Sequence, residues 1–307
     1  MIDILMATYN GEKFLRPQLD SILQQSNQNW RLLIRDDCST DATVQIIKEY
    51  QLLRPEQIEL IRAEQPSGSA QNNFFQLLQY SEADYVMFAD QDDVWLYQKI
   101  QVTLDKMRQM EQEYGTNMPL LVHTDLTVVD AALRVINPSL FQMQNMDAAR
   151  SKLNNILVQN IVTGCTMMVN RALLDLVTEI PKQAVMHDMW LALVASAFGQ
   201  ICFIDHATML YRQHGDNANG AKNVKTLQYF LWKLRCGQEI HQNLLKQYGQ
   251  AGAFLECYQS KLSQEQKELL RAYRLFQDKT MIEKIIALKK FRLCKKGIVR
   301  IMGQVLR

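Results

Sequence analysis

The 307-residue chain predicts an α/β fold, a doubly wound mixed sheet with an α-helical C-terminal extension. Three observations carry this. Short apolar runs alternate with stretches whose apolar residues recur at helical spacing over residues 2–93. Each of these runs is followed by a polar loop, the pattern of βα units that bind ligand beyond the carboxyl ends of their strands. From about residue 224 the alternation gives way to leucine-rich helical stripes alone.

Taken in order, residues 2–7 read as a buried strand ending at the turn Thr8-Tyr9-Asn10-Gly11. Phe14, Leu15, Leu19, Ile22 and Leu23 then recur at helical spacing, with Pro17 tolerated near the helix start. Residues 30–35 form a second strand, followed by the polar loop 36–41 and a helix opened by Val44, Ile46, Ile47 and Tyr50, with Ser39 or Asp41 as its cap. Residues 58–61 give a third strand, 70–80 a helix, and 85–89 a fourth strand ending in Asp90-Gln91-Asp92-Asp93. A long helix is expected from there to about Tyr114, then a strand over 120–129 and an aperiodic, mobile loop over 137–151. Residues 153–169 lead through Thr163-Gly164-Cys165 into a strand, and 171–177 are helical. His187-Asp188 opens a helix ending near Gly199; 201–204 and 208–211 are two short strands before the polar loop 212–217. Leu227, Phe230, Leu231 and Leu234 begin the helical region, which places a boundary near 220, between a domain of residues 1–220 and a helical region of 221–307.

Composition narrows the function. A hydrophobic content of 48% supplies a core without a metal or disulfide staple. A net charge of +2 argues against bulk nucleic-acid binding. The six cysteines form no C-x-x-C pair and read as reduced thiols. No apolar run reaches spanning length and the N-terminus lacks a signal pattern, so a cytoplasmic protein is expected.

The loops after strands one, two and four carry the chemistry. Asp90, Asp92 and Asp93 repel one another unless a cation neutralises them, and hard oxygens suit Mg²⁺ or Mn²⁺, which also take phosphate oxygens. The structural alternative is a solvated acidic cap on the next helix. Asp36, Asp37 and Asp41 suit a pyrimidine base and ribose hydroxyls, or simply an Asx turn. Thr8, Tyr9 and Asn10 line the same pocket or merely turn the chain. Asp188 is a general base for an acceptor hydroxyl or a favourable first-turn carboxylate. Arg212 offers a fork for phosphate, and His214 a ring nitrogen for the metal, although a lone loop histidine is commonly just surface. Gly164 with Thr163 lets an acceptor approach the backbone, or turns the chain into its strand.

Four segments in order resemble the family-2 glycosyltransferases of the GT-A fold: Ala7-Thr8-Tyr9-Asn10-Gly11, residues 35–41, residues 88–95, and His187-Asp188-Met189-Trp190. The match spans about residues 1–220, and Tyr211-Arg212-Gln213-His214-Gly215 resembles further the streptococcal rhamnosyltransferases of cell-wall rhamnan. The resemblance implies an inverting transfer from dTDP-L-rhamnose to a lipid-linked saccharide, with Asp188 as base. Asp92, with Asp90 and His214, would hold Mg²⁺ or Mn²⁺. Thr8, Tyr9, Asn10, Asp36, Asp37, Asp90, Gln91, Asp93 and Arg212 would bind the nucleotide sugar. Asp90 and Asp93 stay open between metal and sugar hydroxyls. Processive synthases of the family carry Q-x-x-R-W and spanning helices; here Gln213-His214 follows Arg212, which implies addition of one or a few sugars.

Beyond residue 282, basic residues from Lys284 to Arg307 alternate with apolar ones, which suits a helix lying on the inner face of an anionic membrane. Packing on its own domain or on a second subunit, as a homo-oligomer, is the alternative. Two rival functions remain. A sugar nucleotidyltransferase would need a Gly-rich, basic N-terminal loop, which Thr8-Tyr9-Asn10-Gly11-Glu12 is not. A non-catalytic, membrane-associated scaffold would be marked by loss of its carboxylates, and here all are present; within the transferase reading, another donor such as a UDP-hexose is the alternative.

Overall fold

The computed structural model describes residues 1–177, 179–215, 224, 236–297, 301, 303 and 304. Four parallel strands, β1 (Ile2–Thr8), β2 (Trp30–Asp36), β3 (Ile58–Arg62) and β4 (Tyr85–Ala89), lie in the order β3-β2-β1-β4. Their register brings Thr8 level with Asp36, and Asp36 level with Arg62, so the loops that follow share one rim. Alternation sorts the strand side chains. Ile4, Met6, Leu32 and Ile34 pack with helices α1 (Leu15–Leu23) and α2 (Thr43–Leu53) on one face. Leu5, Leu33, Val86 and Phe88 pack with α3 (Ala70–Leu78) on the other.

The second half turns this sheet into a mixed one. After β5 (Val94–Trp95) and α4 (Lys99–Tyr114) come β6 (Leu120–Asp130), β7 (Val135–Asn137), α5 (Leu140–Met143), α6 (Leu153–Val158), β8 (Met167–Asn170), α7 (Arg171–Leu174), α8 (His187–Phe198) and β9 (Gln200–Gln213). β8 runs antiparallel to β4 and β6, while β9 runs parallel to β6 and antiparallel to β5.

Three local expectations fail for tertiary reasons. The helix expected after Asp93 begins only at Lys99, because Val94 and Trp95 pair with Leu210 and Met209 and Trp95 N–H donates to Ser21 Oγ (2.9 Å). The stretch expected to be a mobile loop holds β7 and α5, hung on buried Asp125, which accepts from the N–H of Leu140 (3.1 Å) and Phe141 (3.3 Å) and from Ser139 Oγ. The two short strands form one, β9, whose register against β6 shifts around Asp125. Within the stretch leading to β8, residues 153–158 are the helix α6.

Helices α9 (Gly237–Cys257), α10 (Gln264–Arg274) and α11 (Met281–Phe291) form the C-terminal region. Ser263 and Thr280 open the last two with reciprocal capping boxes. The region shares a core with the sheet: Trp190 of α8 meets Phe254 edge-on at 5.4 Å and Tyr258 at 6.2 Å. The helical stripe Leu227, Phe230, Leu231 and Leu234, the boundary near 220 and the terminal residues 298–300 and 305–307 lie outside the described residues. Among those described, no helix is long and apolar enough to cross a membrane, and all six cysteines are free.

This packing makes Phe254, fully buried, a test of whether the extension folds with the sheet. Phe254→Ala is expected to destabilise the whole chain by roughly 3–5 kcal/mol in one cooperative denaturant transition. A separate early transition for the helices alone would show an independent unit.

Candidate active site

The rim is tied together by its own polar groups. Thr8 Oγ1 donates to Asp36 (3.0 Å), which also accepts from Ser39 N–H (2.9 Å) and Oγ (2.6 Å). Asp37 accepts from Arg35 (3.2 Å) and from Ser67 N–H (2.6 Å) and Oγ (2.9 Å). Both carboxylates are buried, so each shapes the loop it belongs to. Asn10 sits at φ 46° and Cys38 at φ 64°, left-handed turns that bend both loops at the rim. Asn10 Oδ1 accepts from Thr40 N–H (2.9 Å), joining the first loop to the second. Gln91 joins the first to the acidic run: Tyr9 N–H donates to its Oε1 (2.9 Å), and its Nε2 donates to Tyr9 O (3.0 Å). The amide lies where a Cβ on Gly11 would stand, so a side chain there would have to push the Gln91 amide aside. Tyr9 itself is exposed to solvent.

The three acidic side chains differ. Asp92 meets His214 Nε2 at 2.7 Å. Asp93 is fully buried; its Oδ1 accepts from Arg212 N–H (3.1 Å), and its Oδ2 has no hydrogen-bond partner among the described residues. Asp90 and Asp93 bring ligand atoms within 4.8 Å of each other and of the Cys165 thiol. Burial first, then Asp92, pushes the Asp90 carboxyl up to about 7. Burial first, then Asp90 and Asp92, holds Asp93 well above the ordinary carboxylate range. An orphaned buried carboxylate oxygen beside a second carboxylate, with an Asp–His pair next to it, fits a divalent cation.

Two basic side chains brace this run from behind. Arg212 donates from Nε to Asp92 O and from Nη1 to Ala131 O, both at 2.7 Å, and its guanidinium lies 4.7 Å over the Phe14 ring. Its fork therefore straps the end of β9 to the acidic loop, a use the sequence reading, which gave it to phosphate, does not include. The His214 ring lies 4.7 Å from the same Phe14. Lys99 is buried with Nζ 3.3 Å from Thr208 Oγ1 and 4.9 Å from the Trp95 ring; burial brings it down to about 8, against the pull of Cys165 and Asp93.

Asp188 enters from the first turn of α8. Gly164 N–H donates to its Oδ2 (3.2 Å), burial raises it to about 6, and its charge acts on Asp90. The neighbouring His187 is buried between Phe74 (4.1 Å) and Phe88 (4.9 Å), and burial lowers it to about 3, a neutral packing ring. A Cβ on Gly164 would stand 2.5 Å from His187 Nε2. The glycine thus leaves room for the His187 ring of α8. The loop before α8 is held on both sides: Gln71 Nε2 donates to Ala184 O, and Val185 N–H donates to Gln250 Oε1 (2.7 Å). Phe14, Lys99, Cys165 and Gln250 escaped sequence reasoning. Each is a common core or helix residue whose partners are far away in the chain, and only the acidic company of Cys165 is visible once the strands are placed.

The fold and this rim define a GT-A glycosyltransferase. The chain belongs to glycosyl transferase family 2, whose model matches residues 3–171. It is 30% identical to the dTDP-rhamnosyl transferase RfbG of Shigella flexneri over 70% of this chain and 74% of that one. It is 26% identical to the putative teichuronic acid biosynthesis glycosyltransferase TuaG of Bacillus subtilis over 64% of this chain and 73% of the other. Among solved structures, S. aureus TarS 1-349 in complex with UDP-GlcNAc aligns with a TM-score of 0.58 at 18% identity, covering 94% of this chain and 80% of that one. The mannosyltransferase PcManGT of Pyrobaculum calidifontis in complex with GDP-Man and Mn²⁺ aligns at 0.55 and 14% identity, covering 99% and 78%.

The raised carboxyls give a signed stability test. A carboxyl whose folded value lies above its unfolded one costs stability progressively as pH rises from the unfolded value to the folded one, and costs nothing below the unfolded value. With EDTA present, the melting temperature is expected to carry a downward contribution as pH rises from about 4, where the unfolded carboxyl ionises, to the value of about 7 for folded Asp90. Mn²⁺ should abolish most of this slope by binding the ionised folded site. A flat EDTA profile would show that these carboxyls are not buried as described.

Proposed function

We propose that the protein is an inverting glycosyltransferase that moves L-rhamnose from dTDP-L-rhamnose onto a lipid-linked saccharide in bacterial cell-wall polysaccharide synthesis. The observation that carries the transferase reading is the meeting of Asp188, from α8, with the acidic run that ends β4. The 30% identical dTDP-rhamnosyl transferase supports the sugar, and the TuaG relative supports the polymer class. The donor occupies the rim formed by Thr8, Tyr9, Asn10, Asp36, Asp37 and Gln91, and the lipid-linked acceptor is met at the inner face of the cell membrane, which the protein contacts from the cytoplasm.

Asp92 and His214, with Asp90 beside them, would hold Mg²⁺ or Mn²⁺, which supplies neutralisation of the charge leaving on the diphosphate. Asp188 removes the proton from the acceptor hydroxyl as that oxygen attacks the anomeric carbon from the face opposite the diphosphate. A value of about 6 leaves Asp188 ionised at neutral pH yet more basic than an ordinary carboxylate. The Gly164 N–H fixes the direction of its Oδ2. Arg212 and Phe14 keep the acidic loop and His214 in place, and Gln91 holds the first loop against the run.

The test is Asp188→Asn with a panel of dTDP- and UDP-sugars. Transfer is expected to drop by about 10²–10⁴ while thermal stabilisation by donor and Mn²⁺ persists. In the parent protein the rate should fall below about pH 6, as Asp188 is protonated, and level off above it. Unchanged transfer by the variant removes Asp188 as the base, and faster turnover of a UDP-hexose removes rhamnose as the sugar.

A further inference from the structure

Helix α11 carries an apolar face that the fold does not cover. Met281, Ile282, Ile285 and Ile286 are 54%, 71%, 40% and 58% exposed. Their spacing places them on one side of the helix. The opposite side is fixed: Lys284, Ala287 and Leu288 are buried, and Lys284 Nζ lies 5.9 Å from the Phe276 ring. The helix therefore cannot roll its isoleucines inward without giving up its packing. Leu275, just upstream, is half exposed as well. So tight a group of exposed aliphatic side chains on one short helix marks an interaction surface rather than ordinary scatter.

Charge says what the surface meets. Between Lys279 and Lys296 there are seven Lys or Arg residues and one acid, Glu283. That acid is turned to the helix start, where Thr280 N–H (2.7 Å) and Oγ1 (2.8 Å) donate to it. Lys289 and Lys290 are exposed in the last turn, next to the apolar face. An aliphatic face bordered by lysines matches the acyl–headgroup boundary of an anionic bilayer. A second copy of this chain fits less well, because a two-fold contact through this face would set the same lysines against each other.

We infer that α11 is a membrane-docking helix that seats Met281, Ile282, Ile285 and Ile286 in the interface of an anionic bilayer. This deepens the reading of a lipid-linked acceptor and rests on it only for its purpose. The mount explains the use. Asn154 Nδ2 donates to Arg292 O (3.0 Å), Lys296 Nζ donates to Met146 O (2.9 Å), and Arg150 donates to Cys294 O. The stretch so held runs through α6 to Gly164, which fixes Asp188. Docking on α11 thus sets the height of the catalytic base above the bilayer. The face places the anchor at the start of the basic stretch that the sequence suggested. Cutting the chain at 282 would remove Leu288 and Leu293 from the core, so truncation is a poor probe.

The probe is the double variant Ile282→Gln, Ile286→Gln in the full chain. Sedimentation with mixed phosphatidylglycerol–phosphatidylcholine vesicles is expected to weaken at least about tenfold, with melting temperature and donor hydrolysis in vesicle-free buffer unchanged. The parent should bind pure phosphatidylcholine vesicles far less and release from the mixed ones as salt rises. Equal vesicle binding by parent and double variant overturns the inference. So does a parent dimer, seen by light scattering, that the double variant splits. A parent that binds the vesicles yet transfers no sugar would instead count against the proposed reaction alone.

Discussion

Asp90, Asp92, Asp93 and Asp188 act on one another at a single rim of the sheet, and the repulsion of like charges in a partly dry site governs much of what surrounds them. The protein meets it with basic groups placed behind and beside the run. His214 pairs with Asp92, the Arg212 backbone N–H donates to Asp93, and the charge of buried Lys99 acts on Asp93 and Cys165. Bringing Arg212 and His214 there requires β9 to be long and to run beside β6 and β5. The departure of β5 from a helical pattern is the local consequence.

A second requirement is a rim that does not collapse onto the charge. Asp36, Asp37, Asn10 and Gln91 all spend hydrogen bonds on neighbouring backbone, so the three loops form one braced edge. Asp188, the proposed base, is braced by other means. His187 is wedged between two phenylalanines, Gly164 leaves room for it, and Gln71 and Gln250 hold the approach from opposite sides. Gln250 belongs to α9, so the helical extension takes part in building the site.

The parallel half of the fold was legible because its signals are local. Each apolar run, turn and helical stripe up to Asp90 lies in consecutive residues, and parallel strands put their loops on one side without further information. The motif residues were legible for the same reason. What failed depended on distant partners. Val94 and Trp95 become a strand only because β9 arrives beside them, and residues 137–151 take shape only because Asp125 collects their N–H groups. Arg212 was visible as a cation, but its stacking on Phe14 and its bond to Ala131 link parts of the chain far apart in sequence. The apolar face of α11 was hidden among alternating basic and aliphatic residues until packing showed which side is buried.

In the proposed reaction the acidic run, with His214, would form a divalent-cation site completed by a nucleotide diphosphate. Electron paramagnetic resonance titration of Mn²⁺ in the presence of dTDP tests it most directly. The parent chain should bind one Mn²⁺ whose spectrum changes with dTDP, and Asp92→Asn and His214→Ala should each weaken that binding at least about tenfold. Equal Mn²⁺ binding by all three proteins, or none by the parent, would contradict the account.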